Sequence, residues 1–262
     1  MSDYTRGLPR LNVTLWAGFA AALVVLMILL QPYDARVNAA LSELRLPGDV
    51  RRELGTLQQF GQGACVLIVA AVVMLLDRSR RHRLFDYALA LAMLGAIVTA
   101  MKGLVGRPRP LLGDPNIILG PFGTYPIERD GHVFLAHAWD LTKPISSDLW
   151  SMPSSHTAFG VAMAVFLTSL YPRLVWLVAP LAGLVGFGRL VFDAHWLTDV
   201  LAGAAVGWLV TYPVMRRSWG VRLVRWALRL DRTPQNTAGM FVGDADEHAG
   251  TPAGSPIERA GS

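Results

Sequence analysis

Six apolar runs limit what this chain can fold into more than any other feature. They cover roughly residues 13–30, 60–76, 85–105, 157–170, 174–192 and 196–215. A helix spans the bilayer hydrocarbon with about 20 apolar residues, within a range of about 17–25. The fourth run approaches that length once it is extended back through Ser154. The first run is longer than the apolar region of about 7–15 residues in a signal peptide, and no small-residue cleavage site follows it, so it reads as a retained helix. The expectation is an all-α polytopic membrane protein, a bundle of six transmembrane helices. Composition agrees: 53% of the 262 residues are hydrophobic, 16% are charged, and the mean hydropathy is +0.39. An ordinary soluble domain carries about 25% charged residues, and global disorder needs low hydrophobicity with high net charge. Both classes are excluded.

The net charge of +5 matters less than where it lies. Arg6 and Arg10 precede span one, Arg78, Arg80, Arg81 and Arg83 follow span two, and Arg173 follows span four. Arg216, Arg217, Arg222, Arg225, Arg229 and Arg232 follow span six. With six spans these segments share one side, and basic flanks favour the cytoplasm. Both termini are therefore expected to be cytoplasmic, in a bacterial inner membrane. Anionic lipid headgroups, not nucleic acid, are the expected partner of the last basic segment. Residues 1–232 read as the membrane domain and 233–262, rich in Gly, Pro, Ala and Thr, as a disordered cytoplasmic tail. On the outer side, the link 31–59 is expected to hold a short amphipathic helix. The link 106–153 is long enough to imply a function. Cys65, the only cysteine, reads as a small buried hydrophobe.

Ionisable groups at the ends of spans are costly and need a reason. Three clusters stand at the non-cytoplasmic ends. Lys102 and Arg109 are seven apart, so a helix continuing for about two turns would bring them to one face, with Arg107 pointing well away. Pro153-Ser154-Ser155-His156 opens span four, where serine can cap the helix and free N–H groups attract anions. Arg189 closes span five, and His195 and Asp199 open span six, four apart and so on one face. A carboxylate beside an imidazole orients it and stabilises its cation. Cations that fork suit an oxyanion, and histidine serves as nucleophile or general acid. Together these residues point to phosphoryl transfer without a metal, at the outer membrane surface.

The residues carry a family resemblance. The pattern Lys-x6-Arg-Pro, then Pro-Ser-Gly-His, then Ser-Arg-x5-His-x3-Asp marks the type-2 phosphatidic acid phosphatase superfamily. This chain resembles it over about residues 60–215, with Lys102-x6-Arg109-Pro110, Pro153-Ser154-Ser155-His156 and Gly188-Arg189-x5-His195-x3-Asp199. The resemblance implies that His195 attacks phosphorus to form a phosphohistidine, with Asp199 orienting it and His156 protonating the leaving oxygen. It also implies that Lys102, Arg109, Arg189, Ser154 and Ser155 hold the phosphate, with no metal or other cofactor. Two departures stand out: Ser155 replaces the motif's glycine and Gly188 its serine.

The implied substrate is an amphiphile with its phosphate at headgroup level: phosphatidic acid, phosphatidylglycerol phosphate, a polyprenyl pyrophosphate or a lipid A phosphate. A phosphotransferase using the same site, a silent lipid-binding member and a transporter are the rival readings. His82, His132, His137 and His248 are expected to have no catalytic role. The aromatics of the long link (Phe122, Tyr125, Phe134, Trp139, Trp150) are expected at the interface or walling the site.

Overall fold

The computed structural model describes residues 13–129, 131–139 and 147–228. Arg6, Arg10, His248 and the tail 233–262 lie outside the described residues. Two compact units are distinguished, Met1–Val224 and Arg225–Ser262. Of the second, residues 225–228 are described.

Each apolar run is a helix. They are α1 (Val13–Leu30), α4 (Gly63–Leu76), α5 (Leu84–Val105), α6 (Ser155–Leu170), α7 (Val175–Val191) and α8 (Leu197–Arg217). The helices α2 (Asp34–Ser42) and α3 (Gly48–Leu57) fill the first outer link, and α9 (Trp219–Ala227) follows α8. By length and composition α1, α5, α7 and α8 are able to cross a membrane, whereas α4 and α6 are shorter apolar helices. The outward side chains of α4 and α7 include Leu67, Ile68, Leu75, Leu76 and Trp176, all exposed. Apolar surface of that kind belongs against lipid.

The all-α expectation needs one correction. The link after α5 contains an antiparallel hairpin, β1 (Thr124–Arg129) and β2 (His132–His137), in which Ile127 pairs with Phe134 and Arg129 with His132. The physical reason is alternation: Ile127 and Ala136 turn inward onto Leu149 while Val133 and Leu135 stay exposed. Gly131, left-handed with φ +74°, turns the chain between the strands. His132 and His137 sit exposed on this hairpin.

The core lies between α5, α6 and α8. Tyr87 stacks on Phe166 with ring centroids 4.2 Å apart, and Leu94, Val98, Ala162, Met163 and Met215 pack around them. Cys65 is half-buried against this cluster. The α6–α8 contact is close because α8 carries Gly203 and Gly207. A Cβ at Gly203 would lie 2.4 Å from the Ser154 carbonyl oxygen, and one at Gly207 2.5 Å from that of Ala158. Small residues four apart let two backbones approach in this way. This contact sets the start of α6 beside the start of α8. At the other end of the bundle Arg83 pairs with Asp86 at 2.7 Å and donates to the Met215 carbonyl and the Ser218 hydroxyl.

Candidate active site

The ends of α5 and α7 meet the beginnings of α6 and α8, and the three clusters converge there. The Ser154 N–H donates to the Asp199 carbonyl oxygen at 2.9 Å, which ties the second cluster to the third. Trp196 Nε1 donates to the Pro108 carbonyl at 2.9 Å, which ties the third to the first. Lys102, Arg109, Arg189, His156 and His195 lie within electrostatic range of one another.

The first cluster does not follow the continuous helix expected of it. α5 stops at Val105 because Gly106 is left-handed, with φ +58°. A residue without a Cβ reaches that conformation at no steric cost. Lys102 remains on the helix, buried, with Nζ donating to the Trp150 carbonyl at 2.5 Å. Arg109 lies beyond the stop, where its N–H donates to the Asp148 carbonyl at 2.7 Å. Its Nε is buried and without a hydrogen-bond partner. Trp139 lies over Gly103, where a Cβ would be 2.7 Å from its ring, and Trp150 Nε1 donates to the Ala138 carbonyl. These two aromatics wall the end of α5, whereas Phe122 is fully out in the open.

In the second cluster Ser154 is the N-cap of α6. Its Oγ accepts from the Thr157 N–H and from Thr157 Oγ1, the latter at 3.0 Å. Ser155 and His156 are the first two residues of the helix, half-buried. The N–H groups of a first turn have no intrahelical acceptor and face whatever anion comes to them.

In the third cluster the turn between α7 and α8 passes through Asp193, with φ +50°. That turn lets the N–H groups of Ala194 and His195 both donate to the Arg189 carbonyl. The His195 side chain is 1% exposed, and its Nδ1 stands 3.8 Å from Asp199 Oδ2, at ion-pair distance and beyond a hydrogen bond. Burial lowers the His195 pKa from its ordinary value to about 4; Asp199 opposes this, and Lys102 and Arg189 reinforce it. The imidazole is therefore neutral near pH 7, the form a nucleophile needs.

Asp199 Oδ2 accepts from the Trp196 N–H at 2.9 Å and from the Ser151 hydroxyl, and Oδ1 accepts from Arg107 Nη1 at 2.7 Å. Arg107, expected to point away, is the centre of a buried network. Its Nη1 also donates to Thr198 Oγ1 at 2.8 Å, and its Nη2 to Asp34 Oδ2 at 2.7 Å and the Pro115 carbonyl at 2.6 Å. Asp34 in turn accepts from the N–H and hydroxyl of Thr198. On Arg189, Nη1 donates to Gln58 Oε1 at 2.9 Å, and Nε is buried without a partner. Arg107, Asp34, Thr198, Ser151 and Gln58 were not found from sequence spacing. The usable signal was that Asp34 and Arg107 are unlike charges, each at the end of an apolar run, where either is costly alone. Among the described residues no group of three His, Cys, Asp or Glu side chains is placed to hold a metal ion.

The profile of the PAP2 superfamily matches residues 83–222. No curated protein sequence matches the chain. Among solved structures, a transmembrane PAP2-type phosphatidylglycerolphosphate phosphatase from Bacillus subtilis is similar, with a TM-score of 0.52 at 19% identity. That match covers 76% of this chain and 96% of the other, and it shows a shared fold. Lys102, Arg109, Ser154, Ser155, His156, Arg189, His195 and Asp199 all fall within the matched segment, which is more than half of the chain: this protein belongs to the PAP2 superfamily.

Proposed function

We propose that this protein hydrolyses the phosphate of a membrane lipid through a phosphohistidine, without a metal ion. The observation that carries this reading is the gathering of His195, backed by Asp199, with His156 and with two arginines, Arg109 and Arg189, whose Nε atoms are buried and unpaired. Lys102, Arg109, Arg189 and the first amides of α6 hold the phosphate. His195 Nε2 donates its electron pair to phosphorus as the ester or anhydride P–O bond breaks, and His156 gives a proton to the leaving oxygen. Asp199 stabilises the positive imidazole. A water molecule then attacks phosphorus, giving its proton to His156, and the N–P bond breaks to restore neutral His195. Such catalysis is mostly positioning and stabilisation of charge on the equatorial oxygens.

A lipid substrate is supported by an apolar cavity of about 300 Å³ between α6, α7 and α8. It begins at Thr157, Gly186 and Val200, each near a site residue in sequence, and continues past Ala182 to Trp208. α7 and α8 touch each other little, whereas both pack on α6, so the space between them is floored by α6. Phosphatidic acid, phosphatidylglycerol phosphate, a polyprenyl pyrophosphate and a lipid A phosphate all present the required phosphate and tail. The basic flanks favour six crossings of a bacterial inner membrane, with both termini in the cytoplasm and the site outside. Transfer of the phosphoryl group to a second lipid is the competing reading, because the same residues serve both.

The test is a phosphate-release panel on the full chain in detergent, with lipid and water-soluble phosphates and a labelled phosphoryl group. Release from lipid phosphates, undiminished by chelator and abolished in a folded His195→Ala variant, is the expected result. Full activity of that variant removes the nucleophile, loss in chelator restored by a divalent ion indicates metal catalysis, and label appearing in a second lipid establishes transfer. No release from any phosphate leaves the silent lipid-binding reading.

A further inference from the structure

Gln58 lies at the end of α3, outside the family-matched segment, and is only 6% exposed. Its stem packs against α7: a Cβ at Gly188 would lie 2.8 Å from Gln58 Cγ and 3.0 Å from Cδ. Its Oε1 accepts from Arg189 Nη1 at 2.9 Å. The position that carries serine in the family motif is thus glycine in this chain, and the Gln58 amide occupies the room that a side chain would need. Arg109 and Lys102, both of the same sign as Arg189, bear on its charge. Arg107, by contrast, is held by the carboxylates of Asp34 and Asp199.

We propose that Gln58 is a positioning residue for Arg189: a neutral amide that fixes the guanidinium without neutralising it, so that its charge and its unpaired Nε are kept for a tetrahedral oxyanion. A carboxylate in the same place would give a stronger bond and would spend the charge. The main-chain carbonyl of Arg189 also takes the N–H groups of Ala194 and His195, so the same residue sets the nucleophile's turn. Holding the Arg189 side chain therefore fixes the spacing between the anion and the imidazole.

This inference rests on the reading of the site as a phosphate site, and the experiment separates the two. Inorganic vanadate binding is measured on the full chain in detergent, for the native protein and for Arg189→Ala, Gln58→Ala and Gln58→Glu, with thermal unfolding as the check on folding. Unimpaired binding by Arg189→Ala overturns the phosphate-site reading, and this inference with it. With Arg189→Ala impaired, Gln58→Ala is expected to bind about ten-fold more weakly, the loss of one hydrogen bond to a charged group. Gln58→Glu, which keeps the shape, is expected to be weaker still, by about another ten-fold, because the carboxylate pairs with the guanidinium. A purely packing role predicts the reverse order, with the isosteric Gln58→Glu close to native. Native-like vanadate affinity in either Gln58 variant overturns the proposal. A second arm uses Gly188→Ser, which crowds the amide: binding is expected to fall, and adding Gln58→Ala is expected to lower it little further, because both changes act through the same amide. A further full ten-fold loss in the double variant counts equally against it.

Discussion

Arg107 and Arg189 serve the same site and are held in opposite ways. Arg107 is 2% exposed and surrounded by acceptors: two carboxylates, a hydroxyl and a carbonyl. Arg189 is tied to a neutral amide and keeps a buried, unpartnered Nε; Arg109 keeps an unpartnered Nε too, although the Asp148 carboxylate is near enough to bear on it. A guanidinium flanked by carboxylates in a low-dielectric interior is a fastening, because its charge is already answered. One held by neutral groups remains an anion receptor. The partners of each arginine, not its distance from the histidine, tell cations whose charge is answered from those left open to an anion.

That distinction breaks most easily at Arg107. Arg107→Ala leaves Asp34 and Asp199 buried and unpaired, and the expected loss is about 3–5 kcal/mol, read as a lowered unfolding transition in detergent. A variant that melts like the native protein would show that Arg107 is no fastening. Arg189→Ala and Arg109→Ala should do the opposite, with phosphate release falling about 10²- to 10³-fold while the unfolding transition stays in place. Unfolding of either variant would place these arginines in the same class as Arg107. Gly203→Ala tests the backbone contact that brings the two halves together. Its Cβ would meet the Ser154 carbonyl at 2.4 Å, and overpacking of this kind costs about 1–3 kcal/mol. Both stability and turnover should drop, and an unchanged melting curve would mean that α6 and α8 can separate freely.

The smallest effect is a pH dependence at His195. Its folded pKa is depressed to about 4 from 6.5, so the unfolded chain takes up the proton first as pH falls. The contribution to stability is complete above about pH 6.5 and is lost as pH falls through that interval towards the folded value. Melting at pH 7 and pH 5 should differ less in His195→Ala than in the native protein. An equal difference in the two would assign the pH dependence to other groups.

The six apolar runs and their order were legible because hydropathy is a local property; the first run and α1 both cover 13–30. The three polar clusters were legible because each stands at the end of a run, so topology alone brings them to one end. The hairpin was not, since its alternation is short and lies inside a long polar link. Arg107 was misjudged through a single glycine: left-handed Gly106 ends the helix and swings the next residues round. The partners Asp34 and Asp199 lie 73 and 92 residues from Arg107, beyond any spacing rule. Gln58 was equally hidden, since nothing local distinguishes a glutamine that will meet an arginine 131 residues later.

The fastening of Asp199 has a consequence for recombining such proteins. The carboxylate behind the histidine is anchored through Arg107 to Asp34, and Asp34 lies upstream of the segment that defines the family. A chimera that keeps residues 83–222 and borrows its leading helices from elsewhere would inherit the whole family motif and lose its anchor. Exchange of modules would succeed only when the donor brings an acid to that corner.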